Sequence, residues 1–389
     1  MRFFHLSDLH IGLRLLNQDL QEDQEYILGE ITNFAAQEQP DAVVIAGDIY
    51  DRAVPSAEAV ELFDRFLTGL CVAVPNAAVM LISGNHDSGP RVNCFRSLLQ
   101  KQNVYMVGMP PQGPEDHIAR VTLRDGDGPV NFWLLPFVKP SMVKQIVGVD
   151  ENGNNLSYDE SLRRLLGREK IPEDERNVLV SHQFYVPAGQ DAALIERAES
   201  EIITVGNIDA VRSDVLAPFD YAALGHIHKP MRVGSDRYRF CGTPMAYSVS
   251  EAGQAKGIIE VDMGEKGQVH TKVIPLIPLH AVRVIRGLRE DVLAQACGDY
   301  VSVILTDPVD FDALDLRDEL SRAFPRLLEI RREYVRQADY GTEGMPEEGE
   351  KKDPYDLILS FLGETDEEER TILADVVNTI LARGEGRSS

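Results

Sequence analysis

Cysteine is scarce in this sequence. Its 389 residues hold four, Cys71, Cys94, Cys241 and Cys297, with no Cys-x-x-Cys pair among them. Such spacing excludes a disulfide framework and a thiolate zinc site, and it points to a reducing compartment. Positive charge is also short: 39 Lys and Arg face 63 Asp and Glu, a formal net charge of −24. That balance argues against nucleic acid as a partner, because holding a phosphate backbone is mostly the work of Lys and Arg. No run approaches the ~18 consecutive apolar residues of a membrane span. No basic segment followed by an apolar stretch opens the chain, so a cytoplasmic protein is expected. Internal repeats and long low-complexity tracts are lacking too. What remains is an ordinary globular composition, 43% apolar and 26% charged, which excludes a wholly disordered or collagen-like chain. At roughly 150 residues per domain, the length suggests two domains or three.

The first half alternates strand-like and helix-like segments. Strands are expected at 1–6, Ala42–Ala46 and Ala78–Ile82, with helices at 19–39, 56–70 and 90–101. This order predicts a largely parallel sheet with helices packed on it. Strands at 117–124 and 130–136 flank the turn Asp125-Gly126-Asp127-Gly128, a hairpin signal. Further buried strands are expected at Asn177–Ser181 and Tyr221–Leu224, then a meander over 231–275. Residues 1–275 could thus form two packed sheets with helices on the outer faces. The Pro275–Pro278 stretch reads as a boundary. Beyond it, strands at 282–285, 301–305 and 327–331, with helices at 289–297 and 312–323, predict a small α/β module over 279–338. Residues 339–353 read as a Gly- and Glu-rich linker. Two amphipathic helices over 354–384 follow; they either pack on their own core or dock on a partner. Helix 56–70, with Val60, Phe63 and Leu67 along one face, is either core or a dimer surface.

Five short motifs each follow a predicted strand: Asp8-Leu9-His10, Gly47-Asp48-Ile49-Tyr50-Asp51, Gly84-Asn85-His86-Asp87, Ser181-His182 and Gly225-His226-Ile227-His228. Each alone is weak. A Gly-Asp after a strand is often only a helix cap, and a lone Ser-His is usually a satisfied histidine. Together they hold five of the nine histidines, at the strand ends where open α/β sheets bind ligands. Imidazole and carboxylate without thiolate suit Mn²⁺, Fe²⁺ or Zn²⁺. Seven ligand groups are too many for one ion. Two ions ~3.5–4 Å apart, bridged by a carboxylate, accommodate them, and Asp48 is the best bridge. His86 is assigned a catalytic role, because Asn85 beside it already offers a neutral oxygen; the other reading makes it a ligand. Asp87 would orient a loop or ligand. His5, His117, His270 and His280 lack comparable partners and read as structural or surface residues.

This set resembles the calcineurin-like metallophosphoesterase superfamily. The flanks, His5 to Gly12, Gly84 to Ser88, Ser181 to Phe184 and Gly225 to Pro230 followed by Tyr238 to Pro244, are similar to the SbcD-type nuclease family. The resemblance implies a four-layer α-β-β-α sandwich over 1–275, a DNA-binding capping domain at 279–338 and a helical segment at 354–384 that binds an SbcC-type ATPase. It implies two ions, most often Mn²⁺, one held by Asp8, His10, Asp48 and His228 and the other by Asp48, Asn85, His182 and His226. It further implies a homodimer within a heterotetramer, acting in DNA end processing, recombination and repair as a 3′–5′ duplex exonuclease and a single-strand or hairpin endonuclease. Relatives often carry a histidine where this sequence has Asp51. Asp51 therefore either helps position DNA or orients its loop. Arg14, Arg52, Arg91, Arg96 and Lys139 lie near the motifs and are either DNA-backbone contacts or solvated side chains. The same motifs also serve enzymes of small phosphodiesters, nucleotides and phosphoproteins. A non-catalytic scaffold would not need the complete donor set.

Overall fold

A computed structural model of the chain describes residues 1–202, 204–308 and 313–333, with isolated residues beyond 354. The linker 339–353 and nearly all of the helical segment 354–384 lie outside the described residues. Met1–Glu201 and Asp209–Tyr334 form one compact unit. Of the second unit's opening stretch, Val205–Asn207 is a single 3₁₀ turn.

Strand β1 (Arg2–Leu6) is followed by helix α1 (Gln21–Glu38), and strand β2 (Ala42–Ala46) by helix α2 (Ala57–Ala73). Strand β3 (Ala78–Ile82), like β2, is buried at every residue, as befits a strand covered on both faces. The crossover helices force parallel pairing, and β1, β2 and β3 pair that way in order. Strand β4 (Val104–Val107) extends them in parallel.

The helix expected at 90–101 is not continuous. It breaks into α3 (Gly89–Val92) and α4 (Arg96–Leu99), and a 3₁₀ turn follows at Gln100–Gln102. Phe95 between them takes a left-handed conformation, φ 59°, which a helix cannot pass through.

The hairpin appears as β5 (Ala119–Asp125) and β6 (Gly128–Leu135), antiparallel about Gly126-Asp127. Two helices not anticipated from the sequence come next, α5 (Pro140–Val147) and α6 (Tyr158–Gly167). Strands β7 (Arg176–His182) and β8 (Tyr221–Gly225) pair in parallel.

The expected meander is divided between two sheets. β9 (Met231–Arg232) and β10 (Tyr238–Phe240) join β8, whereas β11 (Gly257–Met263) and β12 (Val269–Pro275) cross over to flank β1. The first sheet therefore runs β12-β11-β1-β2-β3-β4 and the second β9-β10-β8-β7-β6-β5.

Alternation along the strands builds the layers. Phe3, Val44 and Met80 meet Phe132, Val178 and Tyr221 between the sheets, with the Phe3 and Phe132 rings edge to face at 5.2 Å. On the outer face of the first sheet, Phe4, Val43, Ile45 and Leu81 pack on Ile27, Leu62 and Phe66 of α1 and α2. On the outer face of the second, Trp133, Leu179 and Leu224 pack on Val143, Leu162 and Leu165 of α5 and α6. The result is helix, sheet, sheet, helix. Each fully buried side chain of this size contributes roughly 1.5–3 kcal/mol, so the two sheets and their helices form a rigid base for the loops at their ends.

A third sheet follows: β13 (Val282–Gly287), α7 (Arg289–Leu293), β14 (Tyr300–Leu305), α8 (Ala313–Ala323) and β15 (Arg326–Arg332), with all three strands parallel. Helix α7 stops well short of the expected 297. This sheet has its own core of Ile285, Val292, Val301, Val303, Leu316, Leu320 and Phe324.

Candidate metal centre

The carboxyl ends of β1, β2 and β3 and those of β7 and β8 open on one rim of the sandwich. The strand ends crowd together there. A Cβ on Gly225 would lie 2.0 Å from the Ala46 carbonyl, and one on Gly84 would lie 2.1 Å from Asp48 Oδ1. Four non-glycine motif residues leave their strands in left-handed conformations: Asp8 (φ 52°), His10 (φ 42°), Asp48 (φ 48°) and His226 (φ 98°). Such backbone costs of order ~1–3 kcal/mol per residue and persists only where the surroundings impose it. Here bonds between loops impose it, with Asp8 N–H donating to Gly47 O and His10 N–H to Asp48 O, both at 3.0 Å.

The structure brings all seven expected donors together. His10 Nε2 lies 3.0 Å from His228 Nε2, and Asp8 offers an oxygen to the same group. His182 Nε2 lies 3.0 Å from Asn85 Oδ1 and 3.2 Å from Asp48 Oδ2. His226 Nδ1 is 2.8 Å from Asn85 Oδ1. Asp48 Oδ2 is also 3.6 Å from His10 Nε2, so Asp48 belongs to both groups. Asp8, His10, Asp48, His182, His226 and His228 are all buried. His10 Nδ1 is buried without a hydrogen-bond partner. Two carboxylates, four imidazoles and an amide oxygen with no thiolate make a donor set that fits divalent cations.

The electrostatics agree. Burial alone would lower the pKa of His182, but the Asp48 and Asp8 carboxylates outweigh it and push the group up to about 9. Burial raises Asp8. It works against ionisation of Asp48 as well, yet the surrounding histidines hold that carboxyl well below its ordinary range. Burial drives His10 well below its ordinary value and His226 down to about 4. Burial works against a charged His228 too, but the Glu251 and Asp8 carboxylates outweigh it, so the raised histidines of the cluster are His182 and His228.

His86 stands beside this cluster, its ring perpendicular to that of His10 at 4.7 Å. Its backbone N–H donates to Asp48 Oδ1 at 2.9 Å, and its Nδ1 contacts the Asp51 carbonyl at 2.8 Å. A carbonyl only accepts, so the proton is on Nδ1 and Nε2 is left for chemistry. His86 also falls within reach of His10 and Asp48 as a further donor.

Asp87 turns away from the donors. Its carboxylate accepts backbone N–H groups from Ile49, Tyr50 and Gly84 at 2.9–3.0 Å and so clamps the Asp48 loop to the Asn85 loop. Burial and the neighbouring Asp48 carboxylate push it up to about 6 against those three amides. Asp51 is half-buried and pairs with Arg52 at 3.4 Å.

A groove of about 370 Å³ adjoins the cluster, lined in part by Arg14, Asp51, Arg52, Ser200, Glu329 and Arg331. Arg91 is exposed on α3, Arg96 opens α4 and Lys139 caps α5; none of the three lines the groove. Arg331, on β15, was not anticipated. Nor were Ser200, Glu201 and Glu251, which contact His228. Ala198-Glu199-Ser200-Glu201 reads as a solvated acidic loop, and Glu251 has no spacing relation to any histidine motif.

The family model described as calcineurin-like phosphoesterase matches residues 1–230. The chain belongs to that family. Calcineurin-like phosphoesterases use divalent metal ions, and the buried Asp and His cluster is where this one could hold them. The likeness to SbcD-type nucleases is also borne out. The chain is 29% identical over 303 residues to the SbcD component of the SbcCD nuclease of Staphylococcus epidermidis, covering 76% of this phosphoesterase and 75% of that protein. Among solved structures, it overlaps a putative 5′-nucleotidase from Staphylococcus aureus at 13% identity and TM-score 0.39, covering 82% of this chain and 58% of that one. It overlaps a dimetal phosphatase from Danio rerio at 13% identity and TM-score 0.39, covering 71% and 96%. Both overlaps are too loose to bear on substrate. Among the described residues, no helix of this phosphoesterase is long and apolar enough to cross a membrane.

Proposed function

We propose that this phosphoesterase is a Mn²⁺-dependent DNA nuclease, a 3′–5′ exonuclease on duplex ends and an endonuclease on single strands and hairpins. It works with an SbcC-type coiled-coil ATPase in DNA end processing. The observation that carries the reading is the convergence of seven residues from five strand ends on overlapping groups joined through Asp8 and Asp48, in a chain similar over three quarters of its length to a named nuclease component.

Asp8, His10, Asp48 and His228 would hold one ion, and Asp48, Asn85, His182 and His226 the other. Such a pair supplies Lewis acidity and a water acidified toward neutrality for in-line attack at phosphorus. His86, oriented through its Nδ1 proton, would bring Nε2 to the phosphoryl group and, entering the reaction as an imidazolium with a second proton on Nε2, stabilise the charged phosphate or give that proton to the leaving O3′, a contribution of ~10²–10⁴ in rate. Asp87 keeps the two loops in register.

Arg14, Arg52 and Arg331 give an otherwise acidic chain a local contact for the phosphate backbone. Duplex binding by this protein alone is therefore weak and salt-sensitive. The ATPase, engaged through 354–384, supplies most of the affinity, and a homodimer places two sites on one DNA.

The test is cleavage of end-labelled duplex, hairpin and single-stranded DNA in Mn²⁺, Mg²⁺ or EDTA. Cleavage that needs Mn²⁺ and falls at least ~10²-fold in His86→Ala, with both ions retained by elemental analysis, is the expected result. Loss of an ion in that variant would make His86 a ligand. Intact DNA alongside brisk hydrolysis of a small phosphodiester would move the substrate to that class.

A further inference from the structure

His228 is held at every polar atom except the one that faces the other donors. Its backbone N–H donates to Glu201 Oε1 at 2.9 Å, and its carbonyl accepts from Lys256 Nζ at 2.8 Å. Its Nδ1 meets Ser200 Oγ at 2.7 Å. Nε2 alone is left for His10 and the ion cluster.

Behind Ser200 lies Glu251, fully buried. Its Oε1 accepts from Ser200 Oγ at 2.7 Å and Ser248 Oγ at 2.9 Å. Its Oε2 accepts from Thr243 Oγ1 at 2.9 Å and Lys256 Nζ at 2.7 Å. The direct separation of Glu251 from His228 Nδ1, 3.7 Å, is too long for a hydrogen bond, so Ser200 is the link.

A hydroxyl has one proton and a carboxylate can only accept. The Ser200 proton therefore goes to Glu251, and Ser200 Oγ must accept from His228 Nδ1–H. That places the histidine proton on Nδ1 and a lone pair on Nε2, the tautomer a metal requires. Without the carboxylate, the Ser200 proton is free to turn toward Nδ1, and the imidazole then carries its proton on Nε2, where no ion can be ligated.

We propose that Glu251, acting through Ser200, is a positioning residue that fixes the tautomer and orientation of His228 and so sets the affinity of one of the two cation positions. The inference rests on the metal-centre reading above and names the part of the chain that tunes it. Partners of this kind typically change metal affinity 10–100-fold.

The test is titration of the metal-free full chain with Co²⁺ alone, followed by calorimetry and by visible absorption of the bound ion. The wild type should take up two ions. Ser200→Ala should bind one of them ~10–100-fold more weakly, keep the other at wild-type affinity, and melt as the wild type does without metal. Ser200→Thr, which retains the hydroxyl, should restore the weakened ion. Glu251→Gln should resemble Ser200→Ala. Because it leaves Lys256 without a carboxylate, the double variant Glu251→Gln, Lys256→Met controls for the unpaired ammonium.

Unchanged uptake of both ions in natively folded Ser200→Ala would overturn the proposal. So would equal weakening of both ions, which would mean general loosening of the site. A wild-type chain that binds no Co²⁺ would instead overturn the metal-centre reading beneath it.

Discussion

His5 sits between the sheets with both ring nitrogens engaged, Nδ1 with the Tyr221 hydroxyl at 3.0 Å and Nε2 with the Leu224 carbonyl at 3.2 Å. Burial pushes its pKa from 6.5 down to about 3, against the pull of that carbonyl. Between these values the unfolded chain binds a proton that the folded chain refuses. The stability tied to neutral His5 is therefore complete above about pH 6.5 and is lost as pH falls toward 3. Urea unfolding from pH 7.5 to 4.5 should show His5→Gln losing stability less steeply than the wild type. The difference should approach one proton, ~1.4 kcal/mol per pH unit, below pH 6. Parallel slopes would mean that His5 titrates normally. Residue identity alone does not separate His5 from His10. The distinction was legible because His5 has no acidic or histidine neighbour at motif spacing, whereas His10 shares a loop with Asp8.

At the scale of the elements, the glycines that let strand ends approach are the sensitive points. A methyl at Gly225 would meet the Ala46 carbonyl at 2.0 Å and His182 Nδ1 at 2.8 Å, whereas one at Gly126, in the β5–β6 turn, has nothing within 4 Å. Gly225→Ala should cost ~2–4 kcal/mol by overpacking and strain, a melting shift of several degrees. Gly126→Ala should stay within ~0.5 kcal/mol. Equal melting temperatures would show that the rim can yield.

The buried strands were legible because an unbroken run such as Ala-Val-Val-Ile-Ala over β2 has few other uses. The break at Phe95 was not, since a left-handed phenylalanine leaves no trace in hydrophobic periodicity. The division of 231–275 was hidden for a related reason: short antiparallel strands read alike whichever sheet they join. The clustering of the seven residues was legible, because chemistry-bearing types recurred at successive strand ends. Ser200, Glu201 and Glu251 were not, because support for a ligand from behind follows no sequence spacing.

At the scale of the whole molecule, the third sheet meets the sandwich through Val282 and Tyr300, which join the core of the first sheet, and through a buried carboxylate. Asp23 of α1 accepts from the His280 backbone N–H at 3.0 Å, from His280 Nδ1 at 3.1 Å and from the Tyr300 hydroxyl at 2.8 Å. Its neighbour Gln24 holds the metal loop, donating to His10 O at 2.8 Å and accepting from Gly12 N–H at 2.9 Å. Asp23→Ala would strand these donors at about 1–3 kcal/mol apiece. Hydrogen exchange should then quicken across β13, β14 and β15 and remain slow in β2 and β3. Unchanged exchange in the third sheet would locate its anchorage elsewhere. The same carboxylate and its neighbour place the groove-lining Arg331 and the His10 loop on adjacent residues of one helix.

The return of β11 and β12 to flank β1 also governs how the protein comes into being. The first sheet is not complete until residue 275 has been made, and 218 residues separate His10 from His228. At roughly 5–20 residues per second of synthesis, some 10–45 seconds pass on the ribosome between the opening donors and the closing ones. Throughout that interval the nascent chain carries only part of the donor set, so the unfinished polypeptide has no assembled cluster with which to act on a phosphoester.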